Sequence, residues 1–395
     1  MRKSFKGTIC ASCIGYFTQA ILINFPPLLF ITFQNGFGVS LSQLSLLIAT
    51  NFATELIVDL ICSKFAPKVG YRKCVIIAQL CAIIGLCLFP TLPFAMSNKL
   101  LALIIANIFC GIGGGMMEVL ISPIVEACPT TNKGGMMSLL HSFYCWGQMG
   151  VVLISTILFL TIGIEHWRYI TLAWAIVPLI DLILFCFVPI NTLEPEGKTS
   201  SFMTLFKNKA FWIIFVMMLC AGSSEIAISQ WASAFAEAGL GVEKWLGDLI
   251  GPCLFAVAMG STRLFYSKKA DKINVDNAIL LSACFTVFAY CVVIFAPIAQ
   301  ISLIGCALCG VGCGILWPAS FSSATRRIPS GGVAMFGLLA LSGDLGCLCG
   351  PVIAGTISDA FGGNLKLGFL FAMIFPVLMA VMVLLLKKTK SSDAK

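Results

Sequence analysis

Apolar residues run along this chain in stretches of roughly 20, with polar positions gathered into short breaks between them. Runs of that length are the signal of transmembrane helices. They lack the period-two alternation of an outer-membrane barrel strand. The breaks delimit twelve spans, at 8–32, 41–63, 74–95, 100–126, 136–162, 168–189, 210–236, 245–266, 277–297, 301–324, 332–357 and 366–386. The first begins near Gly7 and is long enough to cross, so it is expected to be a retained helix and not a cleaved signal peptide. The predicted fold class is an all-α membrane protein.

Composition agrees: 11% of the residues are charged, against about 25% in soluble domains. The net charge of +8 could point to nucleic acid, but its distribution does not. With an even number of spans both termini share a side. Of the 25 Lys and Arg residues, the other side holds only Lys99, Arg168, Lys244 and Lys366. The positive-inside rule then places both termini in the cytoplasm of a multi-pass protein of the cell (inner) membrane. The basic balance is a topology signal, and no nucleic-acid partner is expected. The 19 cysteines lie mostly within apolar runs. Two CxxC spacings, Cys10/Cys13 and Cys306/Cys309, lack flanking His and read as small packing residues. No metal and no cofactor are expected.

The polar stretch 190–209, with "NTLEPEGKTSS", separates six spans from six. It divides the chain into an amino-terminal half (1–189), a cytoplasmic linker (190–209) and a carboxy-terminal half with a short basic tail (210–395). The halves echo one another. "GFGVSLSQLS" (36–45) aligns with "GLGVEKWLGD" (239–248), and "CGIGGGMMEVLISP" (110–123) with "CGVGCGILWPASFS" (309–322). Parallel six-span repeats mark a carrier whose site lies at mid-membrane between repeats.

Several side chains are costly where they stand. Glu118 lies inside the fourth span, and a charge at helix centre costs about 2.5–3.5 kcal/mol on insertion scales. Ser122 follows one turn on, and Gly111, Gly113, Gly114 and Gly115 allow close helix approach. Glu118 is expected either to carry a proton or hold a ligand in a wet cavity, or to make a structural hydrogen bond. His141 in the fifth span can donate and titrate, or simply pack between helices. Trp146, five residues on, can stack on a sugar ring or pack. Gln19 and Asn24 are uncharged hydrogen-bonding groups in the first span, just before Pro26 and Pro27, which should bend it. In the seventh span Glu225 and Ser229 are one turn apart, followed by Gln230. Trp317 stands in the tenth span where the repeat matches Glu118. Asp344, among glycines of the eleventh span, suits a close crossing as well as a function.

"FQNGFGVSLSQLSLL" (33–47), Glu118 to Pro123 as "ExxxxP", and "HSFYCWGQMG" (141–150) together resemble the major facilitator superfamily over nearly the whole chain. Within it the chain is most similar to the fucose-permease type of sugar/proton symporters. The resemblance implies proton coupling at Glu118, with His141 and Glu225 as further candidates. It implies substrate contacts from Asn24 and Glu118, and together with the residues' own chemistry the expected substrate contacts are Asn24, Gln19, Glu118, Ser122, His141, Trp146, Glu225, Ser229, Gln230 and Trp317. Pro27 stands where the family's best-studied members carry an Asp needed for transport, a departure from two-carboxylate coupling. Asp59 with Arg72, echoed by Arg263 with Asp271, resembles the superfamily's cytoplasmic gate motif. A plain solvated face is the alternative.

The expected function is proton-coupled monosaccharide uptake by alternating access, by a monomer in the lipid bilayer, with sodium not excluded as the coupling ion. The absence of Lys or Arg at mid-depth in the cavity spans favours a neutral sugar over an anion. A proton-driven exporter of drugs or other small organic molecules is one alternative. A non-transporting sugar sensor is another, disfavoured by the short tail. No nucleophile–base pair or phosphate loop supports an enzyme.

Overall fold

The computed structural model describes residues 5–129, 133–191, 205–269, 273–328 and 332–389. Among these, twelve helical stretches are long and apolar enough to cross a membrane. They are α1 (Lys6–Phe37), α2 (Leu41–Cys62), α3 (Tyr71–Leu88), α4 (Lys99–Val125), α5 (Ser142–Ile162), α6 (Ile164–Phe187), α7 (Lys209–Gly239), α8 (Lys244–Tyr266), α9 (Val275–Phe295), α10 (Ala299–Arg327), α11 (Met335–Ala360) and α12 (Leu365–Lys388). No strand occurs among the described residues. The chain forms two compact units, Met1–Glu196 and Gly197–Lys395.

The helix starts follow from local chemistry. Ser40 caps α2 and forms a reciprocal capping box with Gln43, satisfying two amide donors at the exposed end. Asn98, Asn208, Asn274 and Asn364 accept backbone N–H bonds at the starts of α4, α7, α9 and α12. Gly70 sits between α2 and α3 at φ 99°, a left-handed conformation that a side chain would resist. Pro26 and Pro27 interrupt the α-helix of the first span just after Asn24, as expected. They open a 3-10 turn, Pro26–Leu29, after which the helix resumes over Phe30–Phe37. Proline is tolerated there because the first-turn N–H has no helical partner to lose.

Small residues set the helix spacing. In the first unit α4 packs against α2 and α3. A Cβ added to Gly113 would fall 3.0 Å from the Ala78 carbonyl oxygen and the Ala82 nitrogen. In the second unit α7 and α11 touch backbone to backbone: a Cβ on Gly350 would fall 2.8 Å from Ser223 Cα. Hydrogen bonds line the same seam. Ser342 Oγ donates to the Phe215 carbonyl (2.6 Å), Ser223 Oγ to Gly346 (2.9 Å) and Trp231 Nε1 to Pro351 (2.9 Å). Close approach of this kind replaces the hydrophobic drive that helices lack in lipid.

Large apolar side chains such as Leu60, Ile157, Phe187, Leu281 and Phe288 are exposed on each unit's surface, as a surface facing hydrocarbon requires. All 19 cysteines are free thiols.

The packing yields a paired prediction. Gly113→Leu should destabilise the protein by about 1–3 kcal/mol, the usual range for overpacking. Gly337 in α11 has no atom within 4 Å of an added Cβ, so Gly337→Ala should be neutral or stabilising by up to about 1 kcal/mol. Thermal unfolding of the purified variants in detergent checks both.

Candidate functional site

In the first unit α1 and α4 bring three of the expected residues together. Gln19 Nε2 donates to Glu118 Oε2 at 2.9 Å. One turn away, Tyr16 Oη and Ser122 Oγ share a hydrogen bond of 3.1 Å. Gln19 and Tyr16 are buried, while Glu118 and Ser122 are half-buried. Helical spacing explains the pairing: Tyr16 to Gln19 is three residues on α1, and Glu118 to Ser122 is four on α4, so each pair shares a face. Among the described residues, no Lys, Arg or His forms an ion pair with Glu118. The carboxyl is met by neutral groups, an arrangement able to hold a hydroxylated ligand or a proton.

Asn24 stands apart from this group. Its Nδ2 donates to the Ala20 carbonyl of its own helix at 3.0 Å, just before the Pro26 turn. Trp146 lies on an exposed face of α5, next to Gly147, which packs on α1 at Ala20. His141 falls in the helix that continues into α5, but its side chain lies outside the described residues.

In the second unit Glu225 is buried in α7 and paired with Arg263 of α8, Nη2 to Oε2, at 3.2 Å. Arg263 Nε donates to the Gly314 carbonyl of α10 at 3.1 Å. Glu225 and Gly314 both lie near the middles of their helices. The guanidinium therefore reaches mid-span depth although its Cα stands near the end of α8. Arg263 was also expected at a gate with Asp271, which lies outside the described residues. The contact with Glu225 corrects one expectation. The cavity spans were expected to hold no Lys or Arg at that depth. A long arginine side chain reaches inward when a buried carboxylate and a carbonyl await it. Ser229 and Gln230 are buried in α7 beyond Glu225. Trp317 packs its ring over Gly343 of α11 and edge-on to Phe321.

Arg72 and Asp59, the other expected gate residues, have different surroundings. Arg72 donates to three carbonyls at the end of α6 and just beyond, Phe185 (2.5 Å), Cys186 (2.8 Å) and Val188 (2.7 Å). It thus covers acceptors a helix C-terminus leaves open. Asp59 is half-buried instead against α4, where a Cβ on Gly115 would fall 3.1 Å from its Oδ1.

Sequence reasoning passed over several residues. Tyr16 and Asp181 lie inside apolar spans, and Asp181 carried the same mid-span carboxylate signal that singled out Glu118. A polar group joins α7 to α8, with Lys244 Nζ 3.1 Å from Asp248 and Ser233 Oγ donating to Asp248. Arg327 pairs with Asp276 at one end of α9 and α10.

Removing one partner of a buried ion pair strands the other charge, at about 3–5 kcal/mol. Glu225→Gln alone and Arg263→Met alone should each destabilise by about that range. The double variant should recover most of the loss, as a double-mutant cycle of thermal unfolding would show.

Comparison with known proteins accords with this architecture. The family model of the Major Facilitator Superfamily matches residues 8–335 and 254–395. The membrane protein MosC of Rhizobium meliloti is 23% identical over 373 residues, 93% of this chain and 88% of that protein. Three solved structures share the fold at low identity. A bacterial homologue of the human lysosomal transporter Spinster, inward-facing and occupied, superposes with TM-score 0.78 at 14% identity, covering 97% of this chain and 96% of that one. A D-xylose-proton symporter gives 0.77 at 15%, covering 98% of each. The E. coli fucose:proton symporter FucP gives 0.64 at 15%, covering 98% and 100%. The family model spans nearly all of the chain, and its twelve apolar helices form two units: this protein belongs to the major facilitator superfamily.

Proposed function

We propose that this transporter takes up a neutral monosaccharide together with a proton, by alternating access, as a monomer in the cell membrane. The observation that carries the reading is the Gln19–Glu118 hydrogen bond, with the Tyr16–Ser122 pair beside it. A half-buried carboxyl inside a span, held by an amide and not by a cation, can take and release a proton without breaking an ion pair. Intramembrane ionisable groups of this kind mark substrate paths and proton relays.

The neutral donors and acceptors around Glu118 suit sugar hydroxyls. Ser229 and Gln230 supply the same chemistry in the second unit. The Glu225–Arg263 pair is neutral as a whole, so it adds no net charge to attract an anion. It also engages one of the two carboxylates that an exporter of organic cations would use. Two of the similar folds are sugar–proton symporters by name, which supports the class of cargo.

The test is uptake of a panel of radiolabelled monosaccharides into proteoliposomes under an imposed pH gradient, with and without an uncoupler. Wild type should accumulate at least one sugar uphill, and the uncoupler should abolish this. Glu118→Gln should lose uphill accumulation and keep downhill exchange. Uphill accumulation by Glu118→Gln would remove this residue from coupling. Accumulation driven by a sodium gradient alone would replace the proton. Gln19→Leu removes a hydrogen bond to a charged group, worth about 1.5–3 kcal/mol, and should raise the half-saturation concentration by roughly 10–150-fold if that bond positions the cargo.

A further inference from the structure

Asp181 of α6 is a carboxyl buried inside a span, and the reading above makes no use of it. Its residue is fully buried, as is Gln79 of α3. Gln79 Nε2 donates to Asp181 Oδ2 and also lies 3.3 Å from Met117 Sδ of α4. The backbone of α1 closes the remaining side: a Cβ on Gly15 would fall 3.3 Å from Asp181 Oδ2 and would strike Ile121. The facing titratable group from α1 is the Cys13 thiol. From α3 the carboxyl meets Gln79, which also touches Met117 of α4, and Ile121 of α4 faces Gly15 beside it. The next carboxyl on α4 is Glu118, held by Gln19. Among the described residues, no Lys, Arg or His pairs with Asp181.

Two buried oxygens in this cluster lack a hydrogen-bond partner among the described residues, Asp181 Oδ1 and Gln79 Oε1. Both are acceptors when Asp181 is ionised. A sealed carboxylate without a cation is costly, and an unmatched buried acceptor adds to that cost. One hydrogen removes both difficulties. A protonated carboxyl carries one O–H donor, and a glutamine amide offers a donor and an acceptor on adjacent atoms. We propose that Asp181 and Gln79 form a second proton-binding site in the amino-terminal unit, with the proton on Asp181 Oδ1 donated to Gln79 Oε1. Together with the Nε2–Oδ2 bond this closes a two-bond ring between acid and amide.

The site is separate from Glu118 and independent of the cargo. Enclosed by α1, α3, α4 and α6, its proton exchanges with water only when that packing opens. The Gln79–Met117 contact stands next in sequence to Glu118, so the two acids are neighbours through α4.

Infrared spectroscopy of the full-length protein in lipid tests the assignment without any transport measurement. At neutral pH the wild type should show the carbonyl stretch of a protonated carboxyl, exchanging slowly in heavy water. This band should persist in Glu118→Gln and vanish in Asp181→Asn, whose amide can imitate the neutral acid and keep the fold. Gln79→Met should keep the band but shift its frequency, because the ring partner is gone. The proposal is overturned if the difference between wild type and a folded Asp181→Asn shows only an ionised carboxylate. It is equally overturned if Gln79→Met leaves the band unmoved. Failure of sugar uptake would leave these outcomes unaffected.

Discussion

A polar group buried inside a lipid-facing helix bundle has only other protein groups to bond with. Most of what this chain does with its few charges follows from that constraint. Gln19 meets Glu118, Gln79 meets Asp181 and Arg263 meets Glu225. Each pair joins different helices, so each fixes a crossing as well as satisfying a donor. Where the constraint falls on backbone, side chains answer it. Arg72 takes up three carbonyls at the end of α6, and asparagines take up N–H groups at four helix starts.

The two units meet the constraint differently, despite their repeated sequence. In the first, the two mid-span acids Glu118 and Asp181 are held by amides. In the second, Glu225 is held by a guanidinium that is always charged. An amide can remain bonded to a carboxyl with or without its proton, whereas a guanidinium favours the ionised form alone. The proposed proton binding therefore falls in the first unit, and the second presents a compensated pair. The repeat preserves helix packing while the chemistry along it diverges: Trp317 packs over Gly343 where the repeat places the counterpart of Glu118.

Much of this was legible in the residues. Hydropathy located every span, because the bilayer demands length and apolarity irrespective of tertiary detail. Glu118 and Glu225 stood out because a carboxylate is expensive at mid-span. Their partners were less visible. Nothing local in the sequence says that Gln19 faces α4, since that depends on how helices rotate against one another. The Arg263–Glu225 contact was not visible, because a long side chain can carry a charge a helical turn or more from its Cα. Asp181 satisfied the same rule as Glu118 and was passed over, there being no glycine cluster or motif beside it. Pro26 and Pro27 were legible as an interruption of the first helix, because proline offers no N–H, and a 3-10 turn stands there.

The seam between α7 and α11 has a mechanical meaning. Glycine lets backbone rest on backbone there, and hydrogen bonds from Phe215 to Pro351 pin the contact along most of its length. Where main chain rests on main chain, few side chains lie between to absorb sliding, and packed protein interiors compress little. The seam is built to resist sliding and to favour tilting of the two helices together.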